Sequence, residues 1–259
     1  DFHQALEAKN YDQTAEVLNS WKLGVLERKR LSGEQDTTKT VRNLIGQRKF
    51  AEAQTASGPL TTKAEFSWLN SEIAAAWLAD LSGEFAKAKA VPQVAGLDDL
   101  YRTSQDIAKL QDGSGLNELQ AAILATWLER ANADLAGLTS ANLDAVEGVW
   151  TTLQKTLPDD PKVQSAYENA TARIGALRDE DAVKTLVTGR EYARALQRIK
   201  DAHYLDKTRA SSLQNDAIQG WLNEIQLTYE NALKAKKYEQ AFETFAVLPK
   251  ELSEQPGVE

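Results

Sequence analysis

The sequence predicts an all-α protein of antiparallel helix pairs stacked as an α-solenoid, and three observations predict it. Alanine, leucine, glutamate, glutamine and lysine are abundant and there are only six prolines, a composition that favours helix. Apolar residues recur every three or four positions in one stretch after another, the spacing of a single helix face. Five times an aromatic residue follows a short polar or glycine-containing turn, with a small residue three or four positions later. These are Lys9-Asn10-Tyr11-Asp12-Gln13-Thr14-Ala15, Arg48-Lys49-Phe50-Ala51-Glu52-Ala53, Gly83-Glu84-Phe85-Ala86-Lys87-Ala88, Gly189-Arg190-Glu191-Tyr192-Ala193-Arg194-Ala195 and Lys236-Lys237-Tyr238-Glu239-Gln240-Ala241. A local unit recurring along a helical chain marks stacked helix pairs, which mostly bind partners rather than perform chemistry.

The elements follow in order. Phe2, Ala5 and Leu6 show helical spacing from the first residues, and a helix over 12–31 carries Ala15, Leu18 and Leu26. Leu31-Ser32-Gly33 reads as its stop, with Thr37 or Thr38 capping a short helix through Val41, Leu44 and Ile45. The Phe50 helix is expected to end at Ser57-Gly58-Pro59. A helix over 61–81 has Phe66, Leu69, Ile73, Trp77 and Leu81 on one stripe; Ser82-Gly83 then reads as a turn into a Phe85 helix that runs to Val91-Pro92. Asp112-Gly113-Ser114-Gly115 is a connector, followed by a helix with Leu116, Leu119, Ile123 and Trp127. Ala141 to Leu157 is helical up to Pro158-Asp159-Asp160-Pro161. Helices near 162–177 and 181–188 precede the Tyr192 helix, which runs to about His203. A long helix over 208–235 and a Tyr238 helix closing at Leu248-Pro249 complete the set. By organisation, 1–95 and 162–259 read as helical repeats around a less regular middle, 96–161, with one continuous array as the alternative.

The segments Gly83-Glu84-Phe85-Ala86-Lys87-Ala88 and Lys236-Lys237-Tyr238-Glu239-Gln240-Ala241-Phe242 resemble the inter-helix turn and second-helix start of a tetratricopeptide repeat. Phe245 falls four after Ala241, and Leu157-Pro158-Asp159-Asp160-Pro161 resembles the proline-marked junction between units. The resemblance implies helix pairs with alanine at the tightest crossing, and a partner-binding role. The aromatic positions 11, 50, 85, 192 and 238 lie 39, 35, 107 and 46 residues apart, so the spacing wanders from the family's period of about 34. For the last unit, Tyr229 stands where the family has a small residue.

Composition narrows the function classes. A net charge of −8 disfavours general nucleic-acid binding, which needs a positive field. No apolar run approaches the roughly 20 residues that span a bilayer, so no membrane insertion is expected. Asp1 is not a translation start, which reads as a fragment or processed form. The absence of cysteine excludes disulfides and thiolate chemistry, and favours a bacterial cytoplasmic or periplasmic origin. His3 and His203 form no metal-binding pair, so neither metal nor cofactor is expected. Asp98-Asp99, Asp159-Asp160 and Asp179-Glu180-Asp181 read as helix-start carboxylates that complement backbone dipoles. Trp77, Trp127 and Trp221 fall on core stripes.

Two features suit a partner surface. Arg190, Arg194 and Arg198 recur every four residues as a cationic stripe able to receive carboxylates. Trp68 is offset from its helix's apolar stripe, where it can line a groove. The resulting expectation is a non-enzymatic scaffold for a protein or peptide partner. A self-associating regulatory or structural domain of a larger envelope or signalling protein, and a carboxylate-based helical enzyme, are the competing readings.

Overall fold

The computed structural model describes residues 11–63, 66–110 and 113–246. The expected helix around Phe2, Ala5 and Leu6, His3, the turn residues Lys9 and Asn10, and the stop at Leu248-Pro249 lie outside them. Among the described residues all regular structure is helical: α1 (Tyr11–Gly46), α2 (Phe50–Thr61), α3 (Trp68–Lys89), α4 (Leu97–Ala108), α5 (Ser114–Ala136), α6 (Leu143–Thr156), α7 (Pro161–Thr188), α8 (Tyr192–Asp201), α9 (Lys207–Lys234) and α10 (Tyr238–Ala246). Long and short helices alternate: the long ones have 22 residues or more, the short ones 14 or fewer. The chain divides into two compact units, Asp1–Trp127 and Leu128–Glu259.

In the first unit α2 packs on α1 and α3, and α3 on α4. Val41, Ala53, Leu60, Leu69 and Ile73 form one core, with Leu44, Ile45 and Trp77 against it. Ala74, Leu81, Ile107 and Leu116 form a second core, which shares Trp77 and Leu110 with the first. Glu34 of α1 is buried, held by the Lys63 ammonium and by Arg30 at 2.6 Å. Those two cations, Lys63 first, hold its carboxyl below the usual carboxylate range. In the second unit α7, α8 and α9 pack together, α6 lies on α7 and α10 on α9. Val183, Ala195, Leu196, Leu213, Ala217 and Ile218 make its core.

Four expected breaks are absent, each for a physical reason. Leu31-Ser32-Gly33 does not end a helix, because Gly33 lacks the positive φ of a terminating glycine; α1 continues to Gly46. Thr37 and Thr38 are not caps: their hydroxyls donate back to the Gly33 and Glu34 carbonyls at 2.9 Å. Likewise α2 runs through Ser57-Gly58-Pro59 to Thr61, since a proline two residues from the end removes only one donor. Ser82-Gly83 is not a turn: α3 is continuous, with the Ser82 hydroxyl bonded to the Leu78 carbonyl at 2.7 Å. Gly83-Glu84-Phe85 therefore lies inside a helix, which removes one of the two segments that carried the tetratricopeptide resemblance.

Around 178–180 the two expected helices are one, α7. Asp179 is buried there and paired with Arg198 at 2.5 Å, while Glu180 pairs with Lys184 one turn on, so neither caps a helix. The other acidic pairs do mark starts. Asp98 and Asp99 occupy the first turn of α4, and Asp160 accepts bonds from the Lys162 and Val163 amides ahead of Pro161. In α1 the stripe through Leu26 is not a core face, for Leu26 is exposed. Trp127 is fully buried as expected and Trp77 and Trp221 are half-buried.

Candidate functional site

Three of the recurring units adopt one turn. Arg48, Arg190 and Lys236 have φ of 59°, 60° and 61°, and they are the only non-glycine residues at positive φ among those described. Each closes the preceding long helix with the same pair of bonds. The Arg48 and Lys49 amides donate to Ile45 and Leu44, both at 2.9 Å. The Arg190 and Glu191 amides donate to Val187 and Leu186 at 3.0 and 2.8 Å, and those of Lys236 and Lys237 to Leu233 and Ala232 at 2.9 Å. This is the Schellman closure, in which a left-handed residue satisfies the last carbonyls of a helix. Glycine adopts it most easily; a cation there adds a favourable charge at the helix's negative end.

Two residues after the left-handed cation comes the aromatic that opens the short helix, and in two complete modules its fate is the same. Phe50, 6% exposed, stacks on Trp77 of α3 with ring centroids 5.6 Å apart and planes at 14°. Tyr192, 9% exposed, stacks on Trp221 of α9 at 6.1 Å and 19°. The cation then reaches a carboxylate three residues beyond that tryptophan: Arg48 bonds Asp80 at 2.5 Å and Arg190 approaches Glu224 at 3.7 Å. Arg48 also bonds Glu84, whose carboxyl it and Lys87 hold below the usual range. Ala53 and Ala195, three after the aromatics, are fully buried. A fit this close explains Gly220: a Cβ there would lie 2.8 Å from the Tyr192 ring.

Each module is thus a clasp: a long helix, a left-handed cation, a short aromatic helix, and a second long helix bringing tryptophan and an acid. The third unit has only the first half of this arrangement. Ala241 is buried against α9, but Tyr238 is 65% exposed and Phe242, one turn on, 74%. Their counterparts in the second module, Tyr192 and Leu196, are buried. Sequence reasoning found the turn but missed the tryptophan half of the clasp. Its signal is Trp77-Leu78-Ala79-Asp80-Leu81 against Trp221-Leu222-Asn223-Glu224-Ile225, with Phe85 and Tyr229 four residues further on.

No family model, curated protein or solved structure matches this chain. Function must therefore be argued from these contacts.

The residues singled out as partner contacts lie as follows. Arg190, Arg194 and Arg198 all project from the α8 region of the second unit, and each has an intramolecular carboxylate: Glu224, Glu191 and Asp179 respectively. Trp68, at the start of α3 in the first unit, is 41% exposed, with the Arg42 guanidinium 5.3 Å from its ring centroid. Arg42 also bonds Glu72 at 3.1 Å, so this tryptophan is fixed by a cation–π contact. A cavity of about 350 Å³ in the second unit carries Arg173, Arg209, Glu180 and Asp206, two cations matched by two anions. Tyr204 walls it, seated on Gly175, where a Cβ would meet the ring at 2.3 Å. His203 is exposed, just past the end of α8. No group of three or more histidine, aspartate or glutamate side chains able to hold a metal is present among the described residues. No helix among them is long and apolar enough to cross a membrane.

Proposed function

We propose that this chain is a non-enzymatic, tetratricopeptide-like helical-repeat scaffold that binds a protein or peptide partner. The observation that carries the reading is where its large apolar side chains stand exposed. Trp21, Leu23, Val25, Leu26 and Leu31 are exposed within residues 21–31 of α1, with Trp21 and Val25 one turn apart, and Tyr238 and Phe242 lie one turn apart on α10. Scattered apolar residues are ordinary on a protein surface, whereas grouped ones mark sites of association. The repeated clasp supports the same reading, because it is a device for docking one helix on another. The arginine stripe belongs to the proposal as rim chemistry. A partner's carboxylates would exchange with Glu224, Glu191 and Asp179, which tunes association rate and salt dependence rather than anchoring the complex.

The test is selection of helical peptides from a displayed library against the immobilised chain. Ligands should be enriched, and their binding should fall on replacing Trp21 and Leu26, or Tyr238 and Phe242, by serine. A library that yields no ligand, or ligands indifferent to both replacements, overturns the reading. Ligands that are the chain's own segments, with self-association in sedimentation, favour the self-associating domain instead.

A further inference from the structure

We propose that the cleft between α7 and the start of α9 binds a small zwitterion of the amino-acid type, a free amino acid or a dipeptide. The Arg173 guanidinium would take its carboxylate, Glu180 or Asp206 its ammonium, and the Tyr204 ring its apolar body. This site lies within the second unit and does not rest on the scaffold reading. Four segments meet there. Helix α7 supplies Arg173 and Glu180, the α8–α9 connection Tyr204 and Asp206, the first turn of α9 Arg209, and the α5–α6 connection Leu138. The volume, about 350 Å³, stands at the low end for small-molecule sites and so calls for a small ligand.

The Tyr204 ring is seated by the sequence. A Cβ at Gly175 would lie 2.3, 2.7 and 2.8 Å from its Cδ2, Cγ and Cε2 atoms, so the glycine lets the ring rest on the backbone of α7. Glycine inside a helix of 28 residues weakens it relative to alanine, yet the seated ring stays 48% exposed and walls the cleft. Its seat therefore builds a platform rather than closing a core. The charges point the same way. Arg178, Arg190, Arg194, Arg198 and Arg209 each pair with a carboxylate. Arg173 forms no ion pair or hydrogen bond with any described residue. The two acids are half used. Glu180 Oε1 accepts from Lys184 at 2.6 Å, and Asp206 Oδ1 accepts the Arg209 amide at 2.8 Å. Asp206 Oδ2 stands 3.8 Å from Arg209 Nε, beyond hydrogen-bond reach. Two guanidiniums and two carboxylates thus balance, with one donor fork and two acceptor oxygens left to spare. A singly charged ligand upsets that balance and a neutral one leaves Arg173 unused, whereas a zwitterion answers both signs.

The test is isothermal titration of the intact chain with phenylalanine, leucine and the dipeptide leucyl-phenylalanine, whose relative affinities decide between amino acid and dipeptide. Saturable binding of at least one is expected, with a melting temperature that rises with ligand concentration. For the amino acid, N-acetylphenylalanine lacks the ammonium and phenylalanine amide lacks the carboxylate; the same two blocks apply to the dipeptide. Each blocked compound should bind about tenfold or more weakly than its parent. Arg173→Ala should abolish binding, and Tyr204→Ala should weaken it several-fold. Arg173 is exposed and unpaired, so without ligand Arg173→Ala is expected to keep the wild-type circular dichroism and melting temperature, which separates lost binding from lost folding. No saturable binding of any of the three zwitterions overturns the proposal. So does binding that survives Arg173→Ala unchanged, or blocked compounds that bind as tightly as their parents.

Discussion

At the scale of single residues, glycine is where close packing can be told from mere permissiveness. Gly33 and Gly220 both lie inside long helices, but a Cβ at Gly33 meets nothing within 4 Å, whereas at Gly220 it strikes the buried Tyr192 ring. Gly33→Ala should therefore stabilise the chain by about 0.5–1 kcal/mol through helix propensity. Gly220→Ala should destabilise it by about 1–3 kcal/mol through overpacking. Thermal or urea unfolding measures both, and equal effects would show that Tyr192 does not sit on Gly220. Glu34 provides a second test. Its carboxyl is held low in the folded state by Lys63 and Arg30, so its contribution is present above the unfolded carboxylate value, about 4.3, and is lost as pH falls through the lower folded value. Glu34→Gln should consequently melt below the wild type at pH 7, with the gap closing as pH falls through the lowered folded value. A gap independent of pH would mean the ion pairs contribute nothing.

At the scale of elements, the aromatic turn was legible because it is local: a cation, one residue, an aromatic and an alanine fix a Schellman closure within six positions of chain. Helix ends were less legible wherever glycine or serine was taken as punctuation. Gly33, Gly58 and Gly83 do not stop their helices, since a stop is made by positive φ, and among the described glycines only Gly96 has it. The chain instead closes three helices with arginine or lysine, a choice invisible to a search for terminal glycine. A left-handed arginine is strained by about 1–2 kcal/mol relative to glycine. Arg190→Gly relieves that strain, but it frees the unfolded chain and loses an exposed ion pair worth about 0–1 kcal/mol, so stability should stay within about 0.5 kcal/mol. Arg190→Val places a β-branched residue at the same φ and should cost about 1–2 kcal/mol. If valine is tolerated as well as glycine, the turn is not held left-handed. Ala241→Leu tests the other end of the unit: the site is buried, and overpacking should cost about 1–3 kcal/mol even though Tyr238 beside it is exposed.

At the scale of the whole chain, the tryptophan half of the clasp could not be read from local spacing, because its partners are non-local. Phe50 and Trp77 lie 27 residues apart and Tyr192 and Trp221 lie 29 apart, with different loops between them. Only the recurrence of Trp-Leu-x-acid in two long helices carries the signal, and each copy alone looks like an ordinary core stripe. The same organisation has an energetic consequence. The principal helix contacts join neighbours or next neighbours in sequence, so most of a module's stabilisation comes from within a short stretch of chain. The second compact unit holds a complete clasp and its own core, and Gly137 and Leu138 lie in the connection between α5 and α6. A fragment starting at Leu138 and running to Glu259 should therefore keep helical circular dichroism and a cooperative melt without the rest of the chain. Trp221→Ala in that fragment should broaden or abolish the melt by removing the cover over Tyr192. A fragment that is unfolded, or a melt unmoved by the substitution, would show that the clasp does not organise the unit.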